Sequence, residues 1–161
     1  MGVEIERKFL VDHEKWKKLK KKAGTHYYQG YLVDEINCTI RVRLAGNKGF
    51  VTIKGANSGI SRKEFEYNIP ASDAFELIKS FAKSSVEKVR YKIKFAGKLW
   101  EVDEFLGDNE GLIMAEIELK DEKEEFEKPG WLADEVSYDD RYYNSNLSKH
   151  PFKNWGKSNL L

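Results

Sequence analysis

Period-two alternation runs through most of this chain, and on strand after strand its polar half is charged. Such alternation marks a β-strand with one apolar and one polar face. Side chains at i and i+2 share a face and lie roughly 6.6 Å apart. Glu4, Glu6 and Lys8 oppose Val3, Ile5 and Phe9. Arg41 and Arg43 oppose Ile40, Val42 and Leu44, and Lys54 follows Thr52 against Val51 and Ile53. Arg62, Glu64 and Glu66 oppose Phe65, Tyr67 and Ile69, although Lys63 breaks the apolar side. Lys88, Arg90, Lys92 and Lys94 oppose Val89, Tyr91, Ile93 and Phe95. Glu101 and Asp103 oppose Trp100 and Val102; Glu116 and Glu118 oppose Ala115, Ile117 and Leu119.

These strands account for an unusual charge content. Charged residues make up 34% of the chain, against about 25% in an average protein. Yet 28 basic and 27 acidic residues leave a net charge of only +1. That balance argues against a general nucleic-acid binder, which would carry a basic excess. It leaves room for a local basic pocket.

The 161 residues fit a single domain spanning 1–161. Hydrophobic residues at 40% and aromatics at 13% rule out wholesale disorder. Cys38 is the only cysteine, which excludes an intrachain disulfide and a multi-cysteine zinc site; it reads as a small buried hydrophobe. No apolar run is long enough for a membrane-spanning helix. The first residues, Met1 to Glu6, carry acid where a signal peptide would carry base. A cytoplasmic protein with no membrane partner is expected.

Strands are expected at Val3–Val11, His26–Val33, Asn37–Ala45, Phe50–Lys54, Ser61–Ile69, Val86–Phe95, Leu99–Phe105 and Leu112–Leu119. Asp12 can cap a helix from about His13 to Ala23, with Trp16, Leu19 and Ala23 inward and a solvated lysine face. Pro70, Ser72 and Asp73 open a second helix, with Phe75, Ile78 and Phe81 inward. Gly46 to Gly49 and Gly97-Lys98 read as turns. The acidic stretch Asp121 to Glu127 reads as solvated surface, and the tail from Asp139 to Trp155 as one or two short helices. The class is α+β, with an antiparallel sheet that is either open or closed on itself.

An antiparallel sheet with one wet face and cross-strand salt bridges would explain any single strand. It does not explain the recurrence of like charges. Glu-x-Glu occurs three times on these strands, Arg-x-Arg once and Glu-x-Asp once. Like charges this close repel unless opposite charge sits among them. Clustered carboxylates are what a hard divalent cation requires. Clustered Arg and Lys are what phosphate oxygens require. One face with both would hold a metal–polyphosphate complex.

Glu4-Ile5-Glu6-Arg7-Lys8 resembles the ExExK signature of the CYTH superfamily, the triphosphate tunnel metalloenzymes. Arg41-Val42-Arg43, Thr52-Ile53-Lys54-Gly55, Arg62 to Glu66, Lys88 to Tyr91, Glu101-Val102-Asp103 and Glu116-Ile117-Glu118 resemble the later motifs, in order. Asp140 to Asn144 is similar to the family's C-terminal segment, so the likeness covers nearly the whole chain. The resemblance implies a closed eight-stranded antiparallel β-barrel, a tunnel with flanking helices, whose lumen is charged. It implies a triphosphate substrate and Mg²⁺ or Mn²⁺. Carried over, Glu4, Glu6, Glu116, Glu118 and Asp103 are the metal candidates. Asp103 and Glu66 would serve a second metal or orient the attacking water, and Lys88 would act at the phosphate it holds. Lys8, Arg41, Arg43, Lys54, Arg62, Arg90 and Arg141 are the phosphate-binding candidates, Arg62 and Arg141 standing equally well as structural ion pairs.

His13, His26 and His150 fall outside the motifs and read as surface or turn residues; Trp16, Trp100, Trp131 and Trp155 read as packing. The expected activity is metal-dependent hydrolysis of inorganic tripolyphosphate, releasing orthophosphate. The alternatives are a class IV adenylate cyclase, a thiamine triphosphatase and a non-catalytic polyphosphate or nucleotide sensor. No motif that specifies adenine is present, and the complete acidic set favours an enzyme. No nucleic acid polymer is expected as a partner, and the oligomeric state is left open.

Overall fold

The computed structural model describes residues 2–156. Nine strands and three helices follow in the order β1 (Gly2–Val11), α1 (His13–Lys18), β2 (Thr25–Glu35), β3 (Cys38–Ala45), β4 (Lys48–Gly55), β5 (Ser61–Ile69), α2 (Ala71–Phe81), β6 (Ser84–Phe95), β7 (Lys98–Phe105), β8 (Ile113–Glu118), β9 (Leu132–Glu135) and α3 (Asn144–Lys149). Single 3₁₀ turns lie at Gly107–Asn109, Asp140–Tyr142 and Phe152–Asn154. The strands run β5-β4-β3-β2-β6-β7-β8-β1, all neighbours antiparallel, and β1 pairs back onto β5. Eight strands therefore close a barrel. The closing seam is short: only Gly2 to Ile5 meet Ser61 to Glu64. Beyond it, the same edge of β1 passes to β9 at Phe9 and Val11, a strand the alternation did not reveal.

Closure puts alternate residues inside and their neighbours outside. Here most of the inside is charged, so two of the three apolar clusters form on the outer wall. Under α1 and the 119–132 segment, Phe9, Trp16, Trp100 and Trp131 pack edge to face, with Val102 and Ile117 in the same cluster. Under α2, Val42 packs with Ala74 and Ile78. A third cluster lies within the barrel's inward register. Two residues along from Lys8, Lys88, Asp103 and Glu116, in the direction of one mouth, stand Leu10, Val86, Phe105 and Met114, packed around Leu147 of α3. The C-terminal segment thus fills one mouth and makes the barrel a cup. Leu147→Ala should cost about 2–5 kcal/mol, as a buried large-to-small change does. A urea melt with the wild-type midpoint would mean that α3 is not packed as a plug.

Some local expectations shift. α1 ends at Lys18, not Ala23, and Ala23 is exposed. Asp12 caps the helix by accepting from the Lys15 N–H at 3.1 Å. Continuing it would stack lysines three and four apart, which repel. Lys21 instead folds back over the Trp16 ring at 4.5 Å and donates to the Trp16 and Leu19 carbonyls. In α2 the inward residues are Ala74, Leu77 and Ile78, while Phe75 and Phe81 are exposed. Spacing of i, i+3 and i+4 selects one helix face, and the small Ala74 occupies it. The β6–β7 turn is Ala96-Gly97, not Gly97-Lys98, because Phe95 pairs with Lys98. Both turn residues have positive φ, 48° and 77°, as a two-residue I′ hairpin requires. Cys38 is half-buried and free. Among the described residues no helix is long and apolar enough to cross a membrane.

Candidate active site

The cup encloses a cavity of about 350 Å³, within the usual range for small-ligand sites. Its wall divides by strand order. β7, β8, β1 and β5 are consecutive around the barrel and contribute Glu101, Glu116, Glu118, Glu4, Glu6, Glu64 and Glu66. β4, β3, β2 and β6 form the other half and contribute Lys54, Arg41, Arg43, Lys88, Arg90 and Lys92. Lys8 and Arg62 are the cations within the acidic half. Within the cavity the acids of one wall nearly balance the cations of the other.

On the acidic wall, register sets acids directly opposite acids: Glu6 against Glu118, and Glu101 against Glu116. Salt-bridge pairing would have set opposite charges there. Glu116 responds by holding its proton. Burial first, and then the Glu6 charge, push its carboxyl up to about 8, and it hydrogen-bonds Glu6. Burial opposes ionisation of Glu6 too, but Lys8 and Lys54 outweigh it and hold Glu6 well below the usual carboxylate range. Lys8 Nζ donates to Glu6 at 3.0 Å, and Lys54 Nζ to both Glu4 oxygens at 2.8 and 3.0 Å. Glu118 is raised, by burial and then by Glu4, Glu64, Glu6 and Glu101.

On the basic wall, Arg41 and Arg43 have no acidic partner among the described residues. Arg41 is 9% exposed; its Nη2 donates to Thr52 Oγ1 at 3.2 Å, and its Nε is buried without a partner. Arg43 donates from Nε to Gln29 Oε1 at 3.1 Å and stacks on Tyr27. Burial, then Arg41 and Arg90, push Arg43 down to about 10, so it stays charged at neutral pH. Arg90 and Lys88 are anchored differently. Arg90 makes a two-pronged bond to Asp103 at 2.8 and 2.9 Å, and Lys88 Nζ lies 2.8 Å from Asp103 Oδ2. Burial pushes Lys88 down to about 7 against the pull of Asp103.

Of the residues singled out in the sequence, the structure brings Glu4, Glu6, Lys8, Arg41, Arg43, Lys54, Arg62, Glu66, Lys88, Arg90, Glu116 and Glu118 to the cavity. Asp103 and Arg141 are not among its lining residues. Asp103 is fully buried with both oxygens taken by Arg90 and Lys88. Those two cations hold its carboxyl well below the ordinary value, against the opposing cost of burial. Its place is behind the basic wall, bonded to Arg90 and Lys88. Arg141 is exposed, bonded to Asp139 at 2.6 Å and stacked on Trp155, outside the barrel. Its neighbours in sequence reach the site instead: Tyr143 lies under Lys8 at 4.8 Å, and Asn144 accepts from Lys88 at 2.8 Å. Tyr27, Gln29 and Tyr31 of β2 were also missed. They alternate on one face, but as uncharged residues they gave no charge signal.

Among the described residues no three His, Cys, Asp or Glu side chains are already gathered around one metal position. The donor chemistry nevertheless fits a hard divalent cation. Glu4, Glu6, Glu116 and Glu118 offer only oxygen ligands, come from two adjacent strands, and lie so that burial and then the Glu6 charge push the Glu116 carboxyl up. A cation would take the place of that proton and of the Lys8 and Lys54 contacts.

A sequence model of the CYTH domain matches residues 2–150. An inorganic triphosphatase of Acetivibrio thermocellus is 51% identical over 156 residues, covering 96% of this chain and 99% of the relative. An inorganic triphosphatase of Nitrosomonas europaea is 35% identical over 149 residues, covering 90% and 96%. The crystal structure of an inorganic triphosphatase superposes with a TM-score of 0.63 at 31% identity, covering 89% of this chain and 96% of that one.

Proposed function

The chain belongs to the CYTH domain family, and from that premise we propose that it is a metal-dependent inorganic triphosphatase, a single tunnel domain over residues 1–161. It cleaves a phosphoanhydride bond of tripolyphosphate and releases orthophosphate. One observation carries this reading: Arg41, buried, and Arg43, half-buried, are cations without acidic partners among the described residues, set across a cavity from a wall of repelling carboxylates. Leaving charge buried and unpaired is costly. A polyanion bound between the walls relieves it. A cytoplasmic setting suits the free thiol of Cys38.

Arg41 and Arg43 grip the phosphoryl oxygens as forks, and Lys88 and Arg90, held from behind by Asp103, present further donors. Lys8 and Lys54 hold Glu6 and Glu4 here, and phosphate oxygens give both ammonium groups alternative partners. Arg62, 3.7 Å from Glu4, lies at the edge of this set. Glu66 receives a hydrogen bond from Thr52 at 3.2 Å, and Thr52 one from Arg41. That relay ties Glu66 to the phosphate grip and suits it to orient the attacking water. Glu4, Glu6, Glu116 and Glu118 would hold the divalent cation, Mg²⁺ or Mn²⁺, which when bound neutralises charge on the phosphoryl oxygens in the transition state. The protein's own share is positioning and electrostatic stabilisation.

The deciding experiment is a product assay with Mg²⁺ or Mn²⁺ against tripolyphosphate, ATP and thiamine triphosphate. Orthophosphate from tripolyphosphate is expected, and excess EDTA should abolish it. Cyclic AMP and pyrophosphate from ATP would make the protein a cyclase. Tight tripolyphosphate binding without any product would make it a sensor. Metal alone should also raise the melting temperature, because it binds the folded carboxylate wall and not the unfolded chain. Full turnover in excess EDTA would remove the metal from the mechanism.

A further inference from the structure

Behind the basic wall lies a chain of uncharged amides. Gln29 on β2 is fully buried. Its Oε1 accepts from Arg43 Nε at 3.1 Å, and its Nε2 donates to Tyr31 Oη at 3.0 Å and to Asn144 Oδ1 at 3.3 Å. The same Asn144 oxygen accepts from Lys88 Nζ at 2.8 Å. The orientation of both amides is forced. Arg43 and the charged form of Lys88 can only donate, so an amide oxygen must face each of them. Gln29 Nε2 then meets the Asn144 oxygen, and the Asn144 NH₂ is left over on a residue that lines the cavity. In the ammonium form of Lys88, two of its three protons are taken, by Asp103 and Asn144. The third remains for a ligand.

We propose that Gln29 and Asn144 are positioning residues for the triphosphate site, an uncharged tether that aims Arg43 and Lys88 at phosphate without neutralising them. The inference rests on the triphosphatase reading above and goes beyond it. A carboxylate at position 144 would accept the same two hydrogen bonds, from Lys88 and Gln29, equally well in geometry. It would also cancel the Lys88 charge and repel the phosphate. Asp103 already neutralises the other side of this cluster through Arg90 and Lys88. A second acid would halve the net positive charge that Arg43, Lys88 and Arg90 keep after Asp103 is counted. The tether also joins α3, which plugs one mouth, to β2 and β6. The closed end of the cup and its basic wall are therefore one hydrogen-bonded unit.

Charge and geometry are separated by comparing Asn144→Asp with Asn144→Ala. Asn144→Asp keeps the oxygen that accepts from Lys88, and it places an acid at the start of α3, where it is favoured. Its melting temperature should equal or exceed that of wild type. Its affinity for tripolyphosphate, measured by calorimetry, should nonetheless fall at least tenfold, and KM should rise more than kcat falls. Asn144→Ala, which loses geometry but adds no charge, should bind better than Asn144→Asp. Gln29→Glu adds a charge beside Arg43 but also loses the donor to Asn144, so its affinity is read against its own melting temperature. A purely structural role predicts the opposite order, with alanine the worse variant and affinity following stability. Wild-type affinity in both Asn144→Asp and Gln29→Glu overturns the proposal. Calorimetry keeps the two readings distinguishable: if wild type binds tripolyphosphate but does not cleave it, hydrolysis fails while the affinity order still supports the tether. If wild type does not bind tripolyphosphate, the tether falls as well.

Discussion

Arg43→Ala should weaken tripolyphosphate binding roughly ten- to hundredfold, and Arg41→Ala by a similar factor. Each deletion removes charge-assisted hydrogen bonds worth about 1.5–3 kcal/mol. The double variant should lose at least hundredfold. Stability should move little, for a physical reason visible in the free site. Arg43 is depressed by burial and then by the neighbouring Arg41 and Arg90 charges, and neither Arg41 nor Arg43 has an acidic partner among the described residues. Removing one cation relieves that repulsion and offsets the lost packing and the lost bond to Gln29. Calorimetric binding and thermal melting on the same preparations check both halves. Variants that unfold while their folded fraction binds with wild-type affinity would make these arginines structural.

Asp103→Asn should behave in the opposite way, failing first in stability. Asp103 is the buried counter-charge for Arg90 and Lys88, both almost fully enclosed. Removing one partner of a buried ion pair costs about 3–5 kcal/mol. In a chain of this length that corresponds to a fall of roughly 6–20 °C in melting temperature. The carboxyl sits well below its ordinary value in the folded state. Its contribution is therefore present above the unfolded value of about 4 and drains away as pH falls below it. Wild type should accordingly lose stability more steeply than Asp103→Asn on acidification below about pH 4. Equal slopes and equal melting temperatures would show that Asp103 is not the counter-charge that organises this wall.

The alternation of charged and apolar residues determined the strands, because period two is a local property of extended backbone. It also identified most of the cavity lining, since every charged face it marked contributes a side chain there. The likeness of the ordered motifs supplied closure and chemistry. Four matters were decided only by the tertiary structure. Asp103 shares its face with Glu101, yet Arg90 stands directly opposite and takes it out of the cavity; cross-strand register is not written in either strand alone. Arg141 follows Asp139 in a 3₁₀ turn and pairs with it locally, so its charge never reaches the barrel. Gln29 and Asn144 lie 115 residues apart and carry no charge, so their joint contact with Arg43 and Lys88 exists only after the barrel closes and α3 enters its mouth. The position of the apolar core is the fourth. Sequence shows which residues avoid water, but only closure decides that most of them face outward, under helices, while the charges and the cluster around Leu147 face in.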